Sequence, residues 1–128
     1  MIYLLVGVGG ALGSVARYWM TLAVGRLTGG TFPWHTVAIN VIGSGVIGAV
    51  AATALAETRA ALSPELRVFL MTGVCGGFTT FSAFSLQTME LLRQGRGAEG
   101  LANVLLSVVL CVLATALGYA AMGGALRT

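Results

Sequence analysis

Three sets of residues in this 128-residue chain have types and spacings suited to handling an ion. The first is a single guanidinium, Arg17, inside the apolar run 2–24. A charge within a membrane span costs ~2.5–3.5 kcal/mol on insertion scales, so its presence there points to a task. At 1.5 Å of rise per residue it lies roughly 10 Å from the end of that run. From there it can snorkel to the interface, or stand in a vestibule and attract anions. Glu57 and Glu90 fall at the ends of apolar runs, so no acid sits in mid-run to partner it. An uncompensated positive field favours an anion as the permeant species.

The second set is polar residues at every fourth position: Thr36, Asn40 and Ser44 in one apolar run, and Asn103, Ser107, Cys111 and Thr115 in another. That spacing puts each set on one helix face. Such stripes act as interhelical glue beside small residues such as Gly9/Gly13 and Ala114/Gly118. Alternatively they line a wet path, where amides and hydroxyls replace an ion's hydration shell. Asn40, with two amide donors at depth, is the strongest candidate. The third set lies in Gly73–Gln87. Gly76-Gly77 followed by Thr79-Thr80 makes a poor continuous helix. A helix breaks at mid-membrane depth only where the freed backbone groups meet protein, ion or water. Carbonyls freed in this way commonly bind a cation. Phe81 and Phe84 share a face beyond this point. They are core packing, or they turn their positive ring edges to a small anion.

The elements that position these residues follow from the charges. Hydrophobic residues make up 57% of the chain and charged ones 9%, namely seven Arg and four Glu. A soluble domain carries about 25%, and a small globule has a large surface to solvate. A soluble enzyme, a disordered tail and a nucleic-acid binder are thereby excluded, since scattered arginines form no basic stripe. Residues 27–56, 68–89 and 100–126 carry no charge, and a span needs ~20 apolar residues. The expected fold is an all-α membrane protein, one domain over 1–128, with spans near 2–24, 36–56, 66–90 and 101–122. Short connections at 25–35, 57–65 and 93–100 join them. Ser63-Pro64-Glu65 reads as an N-cap, a first-turn proline and a dipole-favoured acid. No basic segment precedes the first apolar run, so a cleaved leader is not expected. Cys75 and Cys111 read as inert small hydrophobes, and His35 as an interfacial ring beside Trp34. With one His and no close Cys pair, neither a metal cluster nor a Ser-His-acid centre is expected, and the chain is not read as an enzyme.

Loop charge decides orientation. Four spans place Arg59, Arg67 and Arg127 on one side and Arg26, Arg93 and Arg96 on the other, three against three. The balance is compatible with insertion both ways round, and two opposed copies would then pair with inverted symmetry. It is equally compatible with one orientation tipped by a single group. A homodimer is expected, because four thin helices make a poor pathway alone.

These residues give the chain its resemblance to the Fluc/CrcB family of fluoride channels. The likeness spans essentially the whole chain and rests on Gly9-Gly10-Ala11-Leu12-Gly13 leading to Arg17-Tyr18, on Thr36 to Gly43, and most specifically on Gly76 to Ser85. The resemblance implies an antiparallel, dual-topology homodimer in the bacterial inner membrane, with two pathways that passively export cytoplasmic fluoride. It further implies that Arg17 is the vestibule arginine, Asn40 the pore asparagine, and Phe81 and Phe84 the aromatic pair facing fluoride. Thr36 becomes the hydroxyl near that asparagine and Ser107 a hydroxyl on the fourth-span track. Gly76 and Thr79 mark the break whose backbone carbonyls hold a structural sodium ion. Gln87, His35, Asn103 and Cys111 depart from the family pattern. The alternative, a small multidrug-type transporter of dual topology, needs a buried acid for its cations, and the first span offers Arg17 instead.

Overall fold

The computed structural model describes residues 1–53 and 62–125, and all regular structure among them is helical. Four stretches are long and apolar enough to cross a membrane: Ile2–Thr28, Trp34–Ala52, Pro64–Arg93 and Gly97–Gly124. The first two are helices α1 and α2. Arg59, Arg127 and the expected end of the second span at 54–56 lie outside the described residues.

Helix α1 (Ile2–Thr28) runs four residues past the expected end at 24. Gly25 alone costs only about 1 kcal/mol against Ala and does not stop a helix. Arg26 sits favourably in the last turn, and Thr28 Oγ1 donates to the Val24 carbonyl at 3.0 Å. Termination waits for Gly29, whose φ of 69° is a left-handed cap. Helix α2 (Trp34–Ala52) is the most buried of the four spans, with Val37, Ile39 and Val50 in the core.

The third span begins as its sequence dictates. Ser63 Oγ accepts the Leu66 N–H at 3.2 Å, and Pro64 opens helix α3 (Pro64–Val68). The chain then widens into π-helical turns over Phe69–Cys75 and tightens into a single turn, α4 (Gly76–Phe78). Thr79 (φ −77°, ψ 158°) and Thr80 (φ −152°, ψ 113°) are extended. Helix α5 (Phe81–Arg93) follows, N-capped by Thr80 Oγ1, which accepts the Ala83 N–H at 3.2 Å.

Helix α6 (Gly97–Ala125) starts four residues before the expected 101. Gly95, at φ 75°, ends the preceding turn, and Glu99 then suits the positive end of the new helix. Arg96 Nε donates to Glu99 Oε1 at 2.7 Å, and this bond holds the guanidinium above its ordinary pKa. Arg96 Nη2 also donates to the Thr31 carbonyl at 2.6 Å. The 29–33 and 93–97 turns are therefore tied together at one end of the bundle.

Lipid offers apolar side chains as good a surface as protein does, so helices in a bilayer associate through close backbone approach. That is the packing observed. A Cβ on Gly9 would stand 2.8 Å from the Phe69 carbonyl oxygen and 2.9 Å from Gly73 Cα. Gly13 meets Val74 and Phe78 in the same way, which docks α1 on the first half of the third span. Gly48 lies against the Thr115 backbone and Gly118 against that of Gly45, which docks α2 on α6. Outward faces stay apolar and exposed, as at Leu12, Trp19, Val112 and Leu117.

Candidate functional site

Two cavities flank the extended Thr79-Thr80 pair. The larger, about 410 Å³, is lined by Asn40, Thr79, Thr80, Phe81, Phe84 and Ser107, together with Ser44 and Cys111 from the two polar stripes. The smaller, about 320 Å³, is lined by Arg17, Tyr18, His35, Thr36, Thr80 and Gln87 among others. Thr80 belongs to both walls. Five of the expected site residues thus converge on one cavity, while Arg17 and Thr36 stand in its neighbour. Gly76 lines neither, although Cys75 beside it lines the larger.

Asn40 acts as a clamp. Its Oδ1 accepts the Thr80 N–H at 2.8 Å, and its Nδ2 donates to the Thr80 carbonyl at 3.0 Å. A side-chain amide has two N–H donors, so one is committed to the backbone and one is left for the cavity. Of the two amide donors expected at depth, one is thus spent on the Thr80 carbonyl.

The same clamp explains the freed carbonyls. A continuous helix would send the Thr80 N–H to the carbonyl of Gly76; here it goes to Asn40. The Ala83 N–H, which would serve Thr79, goes to Thr80 Oγ1. Thr79 itself remains tied back, its N–H and Oγ1 both donating to the Cys75 carbonyl at 2.9 Å.

Phe81 and Phe84 lie with ring centroids 5.2 Å apart, tilted by 48°. Phe84 is buried but Phe81 is 77% exposed, so packing within this chain accounts for only one ring of the pair. Ser107 is buried against the cavity, and its Oγ has no hydrogen-bond partner among the described residues. Asn103 is fully buried behind it. Its Nδ2 donates to Thr88 Oγ1 at 2.8 Å, and Thr88 donates in turn to the Phe84 carbonyl at 2.8 Å. This chain of bonds ties α6 to the turn of α5 that carries Phe84. Of the stripe on α6 only Ser107 and Cys111 line the cavity; Thr115 packs against Gly48 of α2.

Arg17 is half-buried and makes no ion pair among the described residues. Thr36 is buried beside it. His35 is the second residue of α2: Trp34 packs on Phe32, ring centroids 4.7 Å apart, while His35 Nε2 lies 3.1 Å from Gln87 Nε2 across the cavity. The sequence gives no role to Thr88, and it marks Thr80 only as a poor helix residue and not as a cap or as the partner of Asn40. A threonine three residues before the Ala83 N–H is an N-cap pattern, and that signal was available. Nothing in the spacing pairs positions 88 and 103.

The profile of the CrcB-like family (CrcB-like protein, Camphor Resistance) matches residues 4–119. A protein of Methylocella silvestris named "Fluoride-specific ion channel FluC" is 51% identical over 119 residues, covering 93% of this chain and 91% of that one. Its namesake in Rhodospirillum rubrum is 49% identical, covering 93% and 92%. That of Rhizobium meliloti is 51% identical, covering 93% and 94%. With four candidate spans and matches along nearly its whole length, the chain belongs to the CrcB-like family, as a multi-pass protein of the bacterial plasma membrane.

Proposed function

We propose that this chain conducts fluoride passively and selectively, and that it does so as an antiparallel homodimer with one pathway on each side of the dimer. The observation that carries this reading is the convergence of Asn40, Thr79, Phe81, Phe84 and Ser107 on one cavity, with Arg17 in the adjoining one. The relatives' names give the ion. The chemistry suits it: an uncompensated guanidinium draws an anion in, and one amide N–H and one unpartnered hydroxyl replace part of its hydration shell. The positive ring edges of Phe81 and Phe84 favour a small hard anion. No step makes or breaks a bond, so the protein is a channel and not an enzyme.

Two features support pairing. The loop arginines balance three against three in sequence, and a phenyl ring 77% exposed beside a polar cavity needs a surface to complete its wall. An inverted second copy supplies one. The extended residues then lie at mid-membrane depth, a broken third helix whose backbone groups face protein or a water-filled path. There the carbonyls of Gly76 and Thr79, relieved of their helical N–H partners by Asn40 and Thr80, would hold a sodium ion. Backbone carbonyl oxygens are suited to a hard cation, and its charge would stabilise the extended turn.

Under this reading fluoride leaves the cytoplasm down its gradient, after entering as the neutral weak acid and being trapped on dissociation. The multidrug-transporter alternative needs an acid, and neither cavity wall contains one among the described residues. Efflux from reconstituted liposomes, followed with fluoride and chloride electrodes in parallel, tests the proposal. Fast fluoride loss with little chloride loss and no dependence on a proton gradient is expected. Equal rates for the two ions, or a need for the gradient, would sink it.

A further inference from the structure

Helix α2 meets the extended Thr79-Thr80 pair at two of its positions, one turn apart. Asn40 takes the backbone of Thr80, and Gly43, also on the wall of the larger cavity, takes the side chain of Thr79. A Cβ on Gly43 would collide with the Thr79 Cγ2 methyl and stand 3.3 Å from Phe78 Cδ1. The atoms it would meet belong to side chains, whereas at Gly9, Gly13, Gly48 and Gly118, which dock one helix on another, they belong to the backbone. The bare Cα of Gly43 is therefore a seat for one methyl group. That seat decides where the Thr79 hydroxyl goes. The Thr79 Cβ carries a methyl, a hydroxyl and a hydrogen in three staggered directions. The methyl fills the seat, the hydroxyl donates to the Cys75 carbonyl at 2.9 Å, and the hydrogen takes the third direction. Rotation about Cα–Cβ moves all three in a fixed cyclic order. Were position 43 to carry a methyl, only the hydrogen would fit the seat. That rotation brings the Thr79 methyl onto the Cys75 carbonyl and sends the hydroxyl into the third direction, away from its partner.

We propose that Gly43 is a positioning residue of the conduction pathway: it seats the Thr79 methyl, keeps the Thr79 hydroxyl on Cys75, and so fixes the wall of the larger cavity at the extended pair. The Thr79 N–H donates to the same Cys75 carbonyl at 2.9 Å. Thr79 is thus anchored twice to the turn before it, and a turned side chain leaves one anchor. Gly43 acts on the path only through Thr79, which lines the cavity with it. The inference rests on the conduction reading, from which it takes the larger cavity as part of the path.

Gly43→Ala, Thr79→Ser and the double variant test the proposal, each reconstituted at equal amounts of folded protein after size exclusion. Thr79→Ser keeps the hydroxyl and removes the methyl. In the double variant a hydrogen therefore fits the seat while the hydroxyl stays on Cys75. Fluoride and chloride efflux are read with electrodes. The Thr79 rotamer is read separately, from the couplings of its methyl carbon to the backbone nitrogen and carbonyl carbon. These come from NMR on threonine-labelled protein in lipid nanodiscs, the signal being the one lost in Thr79→Ser. Gly43→Ala should move the couplings to another staggered state and slow fluoride about tenfold per folded protein, the low end of what one overpacked methyl costs. The double variant should return to within about twofold of the parent rate. A clash that only weakened the fold would lower the yield and leave the rate per folded protein unchanged. Unmoved couplings, moved couplings with the parent's rate, or a double variant as slow as Gly43→Ala overturns the proposal. If Gly43→Ala gives no folded protein, the double variant decides: folded and conducting supports the seat, and anything else overturns it. Unselective efflux from the parent counts against conduction itself, and the couplings then judge the seat alone.

Discussion

Asn40→Leu is the most exposing perturbation of this fold, because one side chain holds the extended backbone at Thr80 and lines the larger cavity. The substitution keeps the bulk and removes both bonds to Thr80, at 2.8 and 3.0 Å. Hydrogen bonds measured in a membrane bundle average about 0.6 kcal/mol each, and two of them give about 1 kcal/mol. Orphaning the Thr80 N–H and carbonyl adds ~1–3 kcal/mol apiece if both stay dry. Thr80 lines both cavities, however, and so lies within reach of water. That places the total near the low end, about 2–3 kcal/mol. For a chain of this length such a loss lowers the midpoint of a thermal melt by roughly 6–12 °C.

Conduction loses something separate. On the proposed function the second Nδ2–H is the donor left for an anion, and a hydrogen bond to a charged group contributes about 1.5–3 kcal/mol. Fluoride efflux should therefore slow by about tenfold to a hundredfold. Asn40→Asp divides the two roles. Its carboxylate still accepts the Thr80 N–H, so part of the stability returns, while its negative charge repels fluoride and conduction stays low. Melts in detergent and electrode efflux from liposomes at equal protein density read the two quantities. An Asn40→Leu protein that melts and conducts like the parent would refute the clamp and the pathway together. Loss of stability with unchanged flux would leave Asn40 as a clamp alone.

Three further outcomes are expected. Phe81→Ile should slow fluoride at least tenfold while size-exclusion chromatography still reports folded protein, since little within the chain packs on that ring; an unchanged rate returns Phe81 to ordinary packing. Gly13→Val should abolish folded protein on size-exclusion, because its Cβ would meet the Val74 carbonyl and, at 2.8 Å, the Phe78 nitrogen, neither of which can yield, whereas Gly10→Ala, with nothing within 4 Å of the new methyl, should fold normally. Exchanging sodium for N-methylglucamine at constant ionic strength should lower the melting midpoint if the Gly76 and Thr79 carbonyls hold sodium, and equal midpoints in both media would remove the ion from that site.

The features legible in the sequence were those governed by short-range rules. Ser63-Pro64-Glu65 predicts a helix start, and Ser63 caps it. Scarcity of charge predicts four spans, and four stretches among the described residues have the required length. Span limits were less legible, because Gly25 and Arg26 look like an end while only Gly29, with its positive φ, is one. The candidate site was legible as a set of residues but not as a partition. Spacing puts Thr36 and Asn40 on one face of α2, yet they open on different cavities, because Thr80 passes between them. The contact of His35 with Gln87 was not legible for a related reason: the two are 52 residues apart, a separation to which helical periodicity is blind.

Thr80 is the one residue that both cavity walls share, and its conformation explains how that is possible. A residue inside a helix spends its N–H and carbonyl along the axis and offers neighbours only a side chain. An extended residue releases both backbone groups sideways, and here Asn40 takes both, while the hydroxyl turns forward to cap α5. If fluoride travels from the Arg17 cavity to the aromatic one, it must pass this point, where the amide dipoles are already paired and cannot follow the ion. The guanidinium can concentrate anions on one side, but it cannot lower a barrier set by fixed and satisfied groups. That barrier falls only through donors free on the far side, which are the second N–H of Asn40, the Ser107 hydroxyl and the ring edges of Phe81 and Phe84. Charge near the mouth should therefore govern how often an anion arrives, and those neutral donors should govern which anion crosses.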